Sequence, residues 1–241
     1  MRQLLITFLL IGIVKGYSQN PLYEKGITKK VMNYQEVDQR ALHFGFGMGL
    51  NSLDFVVKPS LQGYLTDSLV PDVTLLHPGF HVNIVSNWRL ANNLALRVLP
   101  GLVFGQRNIV YWKYGSYVDK DMKLESNMID VPILLKYKAK RINNSRPYII
   151  FGGNLRYDLA AKKKFDEKEE VFVRIKRLDY FYEIGFGIDF YNQFFKFSTE
   201  LKYSAGIRDI KVNSTFPRYP QYANAIDKIF SSGVFLTLSF E

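Results

Sequence analysis

The chain contains no cysteine, so disulfide bonds, thiolate nucleophiles and cysteine-ligated metal sites are excluded. After residue 18 it has no run of eighteen consecutive apolar residues, which excludes a transmembrane helix there. The net charge is +10, yet basic stretches interleaved with stacking aromatics, as nucleic-acid readers carry, are missing. Aromatic residues, in contrast, make up 15% of the chain and suit the surface of a β-sheet.

The N-terminus predicts a secretory signal peptide. A short positive start is followed by an apolar run from Leu4 to Val14 and then by small residues, a pattern that a signal peptidase reads. We expect cleavage between Ser18 and Gln19, because eleven apolar residues are too few to span a bilayer as a helix; the alternative is an uncleaved anchor. Loss of Arg2 and Lys15 would lower the net charge from +10 to +8.

Most of the remaining chain alternates between apolar and polar residues with a period of two, as strands with two unlike faces do. The stretch KFSTELKYSAGI, which begins at Lys196, is one example. Eight such segments occur, each long enough for a tilted transmembrane strand. They are Leu42 to Phe55, Gly79 to Leu90, Leu94 to Ile109, Ser126 to Lys138, Pro147 to Leu159, Leu178 to Tyr191, Phe194 to Ile207 and Phe230 to Phe240.

The connectors between these segments alternate in length, as they do in outer-membrane barrels with short periplasmic turns and longer outside loops. The long ones are residues 56–78, 110–125, 160–177 and 208–229, and the short ones are 91–93, 139–146 and 192–193. The sequence therefore predicts an all-β, eight-stranded antiparallel up-and-down transmembrane barrel in the outer membrane. We expect residues 1–18 to be the signal, 19–40 a periplasmic segment and 41–241 the barrel, with both termini periplasmic and four long loops outside.

Alternation alone leaves open whether the apolar face lines the inside of a soluble barrel or contacts lipid. The apolar face carries too many large aromatic groups to pack inside eight strands, and tyrosines near strand ends suit membrane interfaces. We therefore expect lipid outside and a polar interior, whose charges pair and close the lumen. The inward network is predicted to contain Arg97, Arg107, Lys136, Arg156, Asp158, Glu183, Asp189, Lys196, Glu200 and Lys202.

Signs of catalytic chemistry are weak. The glycines of GFGMG, Gly45 to Gly49, alternate within a strand and do not connect a strand to a helix, so curvature explains them better than phosphate binding. His81 could meet Asp54 at the outer rim, but no serine in a recognisable nucleophile setting accompanies them. We predict no enzymatic activity, no cofactor and no metal site.

Two loop stretches are candidate contact surfaces. Lys162, Lys163 and Lys164 could contact lipopolysaccharide phosphates, against the alternative of a solvated loop. In TFPRYPQY, the residues Pro217, Tyr219 and Tyr222 could anchor a protein partner, against the alternative of a merely stiff loop.

Seven blocks carry a family resemblance. In order they are LHFGFGMGLNSLDFVVKPS, HPGFHVNIVSNWRL, LRVLPGLVFGQRNIVYW, MIDVPILLKYKAKRIN, RPYIIFGGNLRYDLAAKKK, DYFYEIGFGIDFYNQFFKFSTELKYS and AIDKIFSSGVFLTLSFE. Their succession, from about Leu42 to Glu241, resembles the PorT proteins of the type IX secretion system. The final strand, with Phe240 near its end, also looks like the signal read by the outer-membrane barrel assembly machinery, although Glu241 follows it.

The resemblance implies an accessory barrel needed to export proteins with C-terminal sorting domains, as in bacteria that glide or secrete proteases. Its expected partners are other outer-membrane and periplasmic translocon proteins and outer-membrane lipid, with no nucleic acid. The resemblance assigns no functional residues. Two other functions stay open: a general anchor or adhesion barrel, and a rim enzyme acting on lipid.

Overall fold

Ten strands and one short helix form the part of the chain that the computed structural model describes, which is residues 33–34, 40–61, 69–73, 77–113, 117–161, 173–212 and 220–241. The signal peptide and its Ser18–Gln19 cleavage point lie outside these residues. The strands are β1 (Leu42–Pro59), β2 (Leu69–Asp72), β3 (His77–Arg89), β4 (Leu94–Val98), β5 (Gly101–Lys113), β6 (Tyr117–Lys138), β7 (Ser145–Asp158), β8 (Leu178–Tyr191), β9 (Lys196–Gly206) and β10 (Ile226–Phe240). The helix, α1, spans Pro220–Asn224.

Antiparallel hydrogen bonding closes these strands into a ring of eight. Each strand of the ring pairs with its sequence neighbours, and β1 closes the ring by pairing with both β3 and β10. The pairing with β10 runs from Phe46 opposite Phe240 to Pro59 opposite Ile226. This confirms the predicted all-β, eight-stranded, antiparallel up-and-down barrel. An additional short strand, β2, pairs with β5 beyond the ring proper.

β4 and β5 act as one strand of the ring, interrupted at Leu99 and Pro100. Both pair with β3 on one side and β6 on the other, and the register does not shift across the break. Proline has no N–H to donate to a sheet, which accounts for the interruption. The carbonyl of Pro100 still accepts a hydrogen bond from the amide of Ile84 at 2.9 Å, so the break does not open the wall.

The two faces of the wall differ as the alternation predicts. Many inward side chains are charged or polar and are buried: Arg97 and Asp189 are both 0% exposed. Outward side chains are large and apolar and form a continuous exposed band; Phe186, for example, is 61% exposed. A polar interior and an apolar exterior are the reverse of a soluble barrel, and they suit a barrel whose wall contacts lipid.

The pattern inverts beyond this band, at the end of the barrel that carries the long connectors. There Met122 points inward and is buried, whereas the outward Asp121, Lys123 and Glu125 are exposed. The prediction of a loop at residues 110–125 is therefore wrong: β5 and β6 continue as a paired hairpin up to Lys113 and from Tyr117. This part of the hairpin does not continue the alternation of the membrane strands, because its apolar residues point inward and its charged residues point outward.

The N-terminal segment is described only at residues 33, 34 and 40. The backbone amide of Asn33 donates to the side-chain oxygen of Asn144 at 3.0 Å, and Arg141 donates to the carbonyl of Asn33. Both partners belong to the turn between β6 and β7, so this contact lies at the end of the barrel with short turns. Among the residues described, a helix with the length and apolar character of a membrane span is absent.

The close approach of β8 to its neighbours at Gly187 yields a prediction. A Cβ added at Gly187 would lie 2.5 Å from the carbonyl oxygen of Thr199 and 2.5 Å from the Tyr148 hydroxyl. We expect Gly187→Ala to lower the free energy of unfolding by about 1–3 kcal/mol, because overpacking displaces both neighbours. The measurement is the fraction of folded barrel on unboiled gels as a function of temperature.

Gly153→Ala is the matched control, since the nearest atom to its added Cβ is 3.9 Å away. We expect this variant to melt like the parent protein. Equal melting of both variants would contradict the packing argument.

Candidate functional site: the barrel lumen and its outer end

Arg97, on β4, is the centre of a first layer of charges near the short-turn end. Its guanidinium donates to Glu200 at 2.5 Å and to Glu241 at 2.7 Å, and its Nε donates to Asn87 at 3.0 Å. Glu200 also accepts a hydrogen bond from the Tyr148 hydroxyl at 2.9 Å. All five side chains come from different strands, or from the chain end after β10, so this layer connects the wall across the lumen.

Two lysines complete the first layer. The ammonium of Lys136 donates to Asp189 at 2.8 Å, and that of Lys196 donates to Glu241 at 2.7 Å. Asp189 accepts a further hydrogen bond from Ser198 at 2.6 Å. Each acid of the layer therefore has at least one cationic neighbour within hydrogen-bond distance.

A second layer surrounds Arg156, on β7, about halfway along the barrel. Its Nε lies 2.7 Å from Asp130, and its Nη2 lies 3.3 Å from Glu183. Lys202 reaches the other oxygen of Glu183 at 2.7 Å, and Asn154 donates to both acids. Two cations thus face two acids, and the layer is neutral when all four are ionised.

The third layer, toward the long-loop end, contains Arg107 and Asp158. The guanidinium of Arg107 donates to Asp158 at 2.8 Å and to Ser126 at 2.7 Å. Asp158 also accepts hydrogen bonds from the backbone amides of Ala160 and Ala161, which fix the start of the connector after β7. A cavity beside this pair has room for about one water molecule.

Inward aromatic rings fill the space between the layers and lie against the cations. The Lys136 ammonium is 3.6 Å from the centre of the Tyr148 ring, and the Arg107 guanidinium is 4.3 Å from that of Phe55. Arg156 lies over Phe181 at 4.2 Å and over Phe235 at 5.1 Å. A cation over a desolvated ring is attracted by the ring quadrupole, so these rings stabilise the buried charges as well as filling the lumen.

The structure places every residue of the predicted inward network in one of the three layers. These residues are Arg97, Lys136, Asp189, Lys196 and Glu200 in the first layer, Arg156, Glu183 and Lys202 in the second, and Arg107 and Asp158 in the third. The prediction missed Glu241. Alternation along β10 could have found it, because Gly233, Phe235, Thr237 and Ser239 point inward and Glu241 continues that series.

The suggested contact between His81 and Asp54 does not form. His81 points into the lumen, where its Nε2 lies 2.9 Å from the Thr237 hydroxyl and its ring meets the edge of Phe235. Asp54 lies on the opposite face of β1, and its carboxylate accepts from the backbone amide of Phe55. In this register, residues of opposite parity on β1 and β3 point to opposite faces of the wall, so His81 and Asp54 do not form an acid–base pair.

An apolar cap closes the long-loop end of the lumen. Its residues come from β1, β2, β5, β6, α1, β10 and the connectors around β8 and β9. They are Phe55, Leu69, Ile109, Tyr111, Met122, Ala161, Val173, Ile175, Ile210, Tyr222, Ala223, Ala225, Ile226 and Ile229. These apolar side chains lie over the charged layers and shield them on that side, apart from the small cavity beside Arg107 and Asp158.

Tyr222 belongs to this cap and is not a surface contact. It is buried, its ring packs edge-on against Tyr111, and its hydroxyl donates to Asp119 at 2.6 Å. The other predicted loop contacts, Lys162, Lys163, Lys164, Pro217 and Tyr219, lie outside the described residues. Beside the cap, burial lowers the pKa of Lys211, whose ammonium donates to the carbonyl of Ile226.

This arrangement supports packing and cohesion better than transport or catalysis. Side chains fill the lumen, ion pairs cross-link it, and the cap closes one end. Within the described part of the chain, no group of three or more histidine and acidic side chains is placed to hold a metal ion.

Comparison with known families assigns the chain. A family model described as outer membrane protein beta-barrel domain matches residues 19–212. The chain belongs to this family of outer-membrane β-barrels. Family membership and the apolar outer wall agree in placing the protein in the outer membrane. No curated protein matches the chain.

Several solved barrels resemble this outer-membrane barrel at low identity. Neisserial surface protein A is 11% identical with a TM-score of 0.45, covering 83% of this chain and 98% of its own. OprG from Pseudomonas aeruginosa is 13% identical with a TM-score of 0.47, and the match covers 83% of this chain and 93% of OprG. The outer membrane protease OmpT from Escherichia coli is 9% identical with a TM-score of 0.49, covering 83% and 95%. Likeness at this level carries no information about activity.

The central position of Arg97 predicts a large effect of its removal. In Arg97→Met, Glu241 keeps Lys196, but Glu200 loses its cation while remaining buried. We expect this outer-membrane barrel to lose about 3–5 kcal/mol of unfolding free energy, as when one partner of a buried ion pair is deleted. Urea unfolding in lipid vesicles measures the loss.

The double variant Arg97→Met/Glu200→Gln serves as its control, because it removes the stranded charge together with the cation. We expect it to recover a large part of the lost free energy. A double variant no more stable than the single one would show that the pair contributes by shape and not by charge.

The cap offers a second matched pair of variants. Tyr222→Phe loses the hydrogen bond to Asp119, so we expect a cost of about 1 kcal/mol and faster amide exchange at residues 220–229. Tyr111→Phe removes a buried hydroxyl that has no hydrogen-bond partner among the described residues, so we expect the stability to stay level or rise. Hydrogen exchange followed by mass spectrometry distinguishes the two; a larger effect at Tyr111 would refute this account of the cap.

Proposed function

We propose that this protein is an accessory component of the type IX secretion system that acts by protein contact and not as the export pore. The sequence supports the assignment through the ordered resemblance of its blocks to PorT proteins. The lumen, filled by buried and ion-paired side chains, supports the mode of action, and it is the observation on which the proposal mainly depends.

A folded or extended cargo chain needs an open passage, and the ion-paired layers leave none. Opening one would separate several buried charges from their partners at once, at several kcal/mol for each stranded ion. Cargo therefore passes through another component, and this barrel contributes from its surfaces.

Three surfaces remain for partners. The short-turn end faces the periplasm in our proposal, together with the N-terminal segment anchored at Asn33. The long-loop end, with the hairpin of β5 and β6, faces outside. The apolar wall faces lipid or a larger barrel, and lipopolysaccharide is a further contact outside.

The proposed role is not enzymatic. His81 contacts Thr237 and Phe235 in the lumen, whereas Asp54 lies on the other face of the wall. General acid–base chemistry needs such groups within hydrogen-bond reach of one another or of a substrate. The rim-enzyme alternative therefore loses the pair of residues that suggested it.

The decisive experiment is secretion of a reporter with a C-terminal sorting domain in a strain lacking this chain. We expect the reporter to accumulate in the periplasm, and a plasmid copy of the gene to restore export. Assembly of unrelated outer-membrane barrels, followed on unboiled gels, should be normal.

Normal export in the deletion strain would refute the type IX assignment and favour an anchor or adhesion role. General failure of barrel assembly would also refute it, because the export defect would then be indirect. The Gly153→Ala variant, which we expect to fold like the parent protein, serves as the control when mutated copies of the gene are tested for restoring export.

A further inference from the structure

Four tyrosines mark a membrane interface on one side of the barrel. Tyr157 on β7, Tyr180 and Tyr182 on β8, and Tyr203 on β9 all point outward and are exposed, toward the long-loop ends of their strands. Tyrosine concentrates where the apolar interior of a bilayer meets the lipid headgroups. Residues just beyond these rings therefore lie at headgroup level.

Three cations follow directly beyond the tyrosines, and we call Lys176, Arg177 and Arg208 the basic rim. Backbone pairing brings the two segments together: the amide of Ile207 donates to the carbonyl of Tyr180 at 2.9 Å, and that of Lys176 to Ile210 at 2.8 Å. Residues 176–180 thus run beside residues 207–210. The three cations share one short edge of the barrel above β7, β8 and β9.

The basic rim is held in place without being neutralised. Arg177 donates to the carbonyl of Ala161 at 2.9 Å and lies 3.5 Å from the Tyr157 hydroxyl, while Lys176 donates to the carbonyl of Asp209. These acceptors are uncharged. Arg208 is exposed and, among the described residues, has neither a hydrogen bond nor an ion pair.

Two acids lie near the rim, but backbone amides hold both carboxylates, and neither carboxylate forms an ion pair with a rim cation among the described residues. The Asp209 carboxylate accepts from the amides of Lys211 and Ile229, each at 3.0 Å. Asp179 is buried, and its carboxylate accepts from the amide of Tyr180 at 2.8 Å. The positive charge of the rim is therefore available to an external anion.

The hairpin of β5 and β6 differs from the basic rim in the sign of its surface charges. Its exposed cations Lys113 and Lys123 alternate with the acids Asp119, Asp121 and Glu125, and Lys123 lies 3.9 Å from Asp121. That surface has mixed charge and suits solvent. The three cations of the basic rim, in contrast, form no ion pair among the described residues and lie beside the girdle of tyrosines.

We propose that the basic rim binds the phosphate groups of a phosphorylated glycolipid of the outer leaflet, the lipid A part of lipopolysaccharide. Guanidinium groups match phosphate oxygens with two parallel hydrogen bonds, and the tyrosines supply the interface where the sugar headgroup lies. The site rests on the proposed orientation, in which the long loops face outside. It does not depend on the residues 162–164 that the sequence suggested for this contact.

The test uses the mature full chain in lipid nanodiscs doped with bisphosphorylated or with dephosphorylated lipid A. Native mass spectrometry measures the lipid retained on the barrel. We expect the parent protein to retain bisphosphorylated lipid A roughly tenfold better, and Arg177→Gln/Arg208→Gln to lose most of that preference.

The matched control is Lys113→Gln/Lys123→Gln, which removes the same charge from the mixed surface and should keep the preference. Arg208→Gln alone guards against misfolding, because that exposed side chain has no hydrogen bond or ion pair to lose among the described residues. We expect it to lower the preference while the unboiled gel mobility stays normal.

Three results would overturn the proposal: equal retention of the two lipids by the parent protein, equal losses in the two double variants, or better retention of phosphatidylglycerol than of lipid A. The nanodisc result is independent of secretion. A rim without lipid preference therefore leaves the type IX role standing, and normal export of cargo leaves the rim standing.

Discussion

Closure of the wall between β1 and β10 is the constraint on which the rest of the structure depends. A bilayer offers no water to an unpaired backbone group, so an open sheet edge within it would cost several kcal/mol for each free N–H or C=O. The pairing is continuous from Phe46 opposite Phe240 to Lys58 opposite Lys228, with a register shift only before Pro59, and it removes that edge. With eight strands the ring is narrow, and its interior is filled by whatever side chains alternation directs inward.

The interior charges follow from this narrowness, and they in turn fix the register. A buried ion pair adds little net stability compared with an apolar pair of similar volume, whereas a stranded charge is costly. Because side chains alternate with period two, a slip of one residue in any strand would turn its charges into lipid and its aromatics into the lumen. The three layers thus discriminate against misregistered barrels more than they stabilise the correct one. Glu241 extends this control to the end of the chain.

The sequence was sufficient for the strands that cross the band of apolar wall, because there both faces are constrained at once. Prediction from the sequence failed beyond the band, where the outer face meets water instead of lipid and the inner face meets the apolar cap instead of charged side chains. The hairpin of residues 101–138 extends through both regions, and its apolar residues change from the outer to the inner face at about Glu125. Burial of Tyr222 was hidden for a related reason: a loop sequence does not reveal that it folds back over the lumen. The pairing of His81 with Asp54 failed on parity alone, which the sequence did contain.

A filled lumen changes where specificity can lie in this protein. The apolar wall is required by lipid, so its composition is largely explained before any partner is considered. The charged layers occupy the lumen, and the cap occupies the inner side of the long-loop end. The side chains at the two ends of the barrel differ from strand to strand and are not required by closure or packing. The uniform charge of Lys176, Arg177 and Arg208 stands against the mixed charge of the neighbouring hairpin. Recognition of lipid or protein therefore depends on the side chains at those two ends.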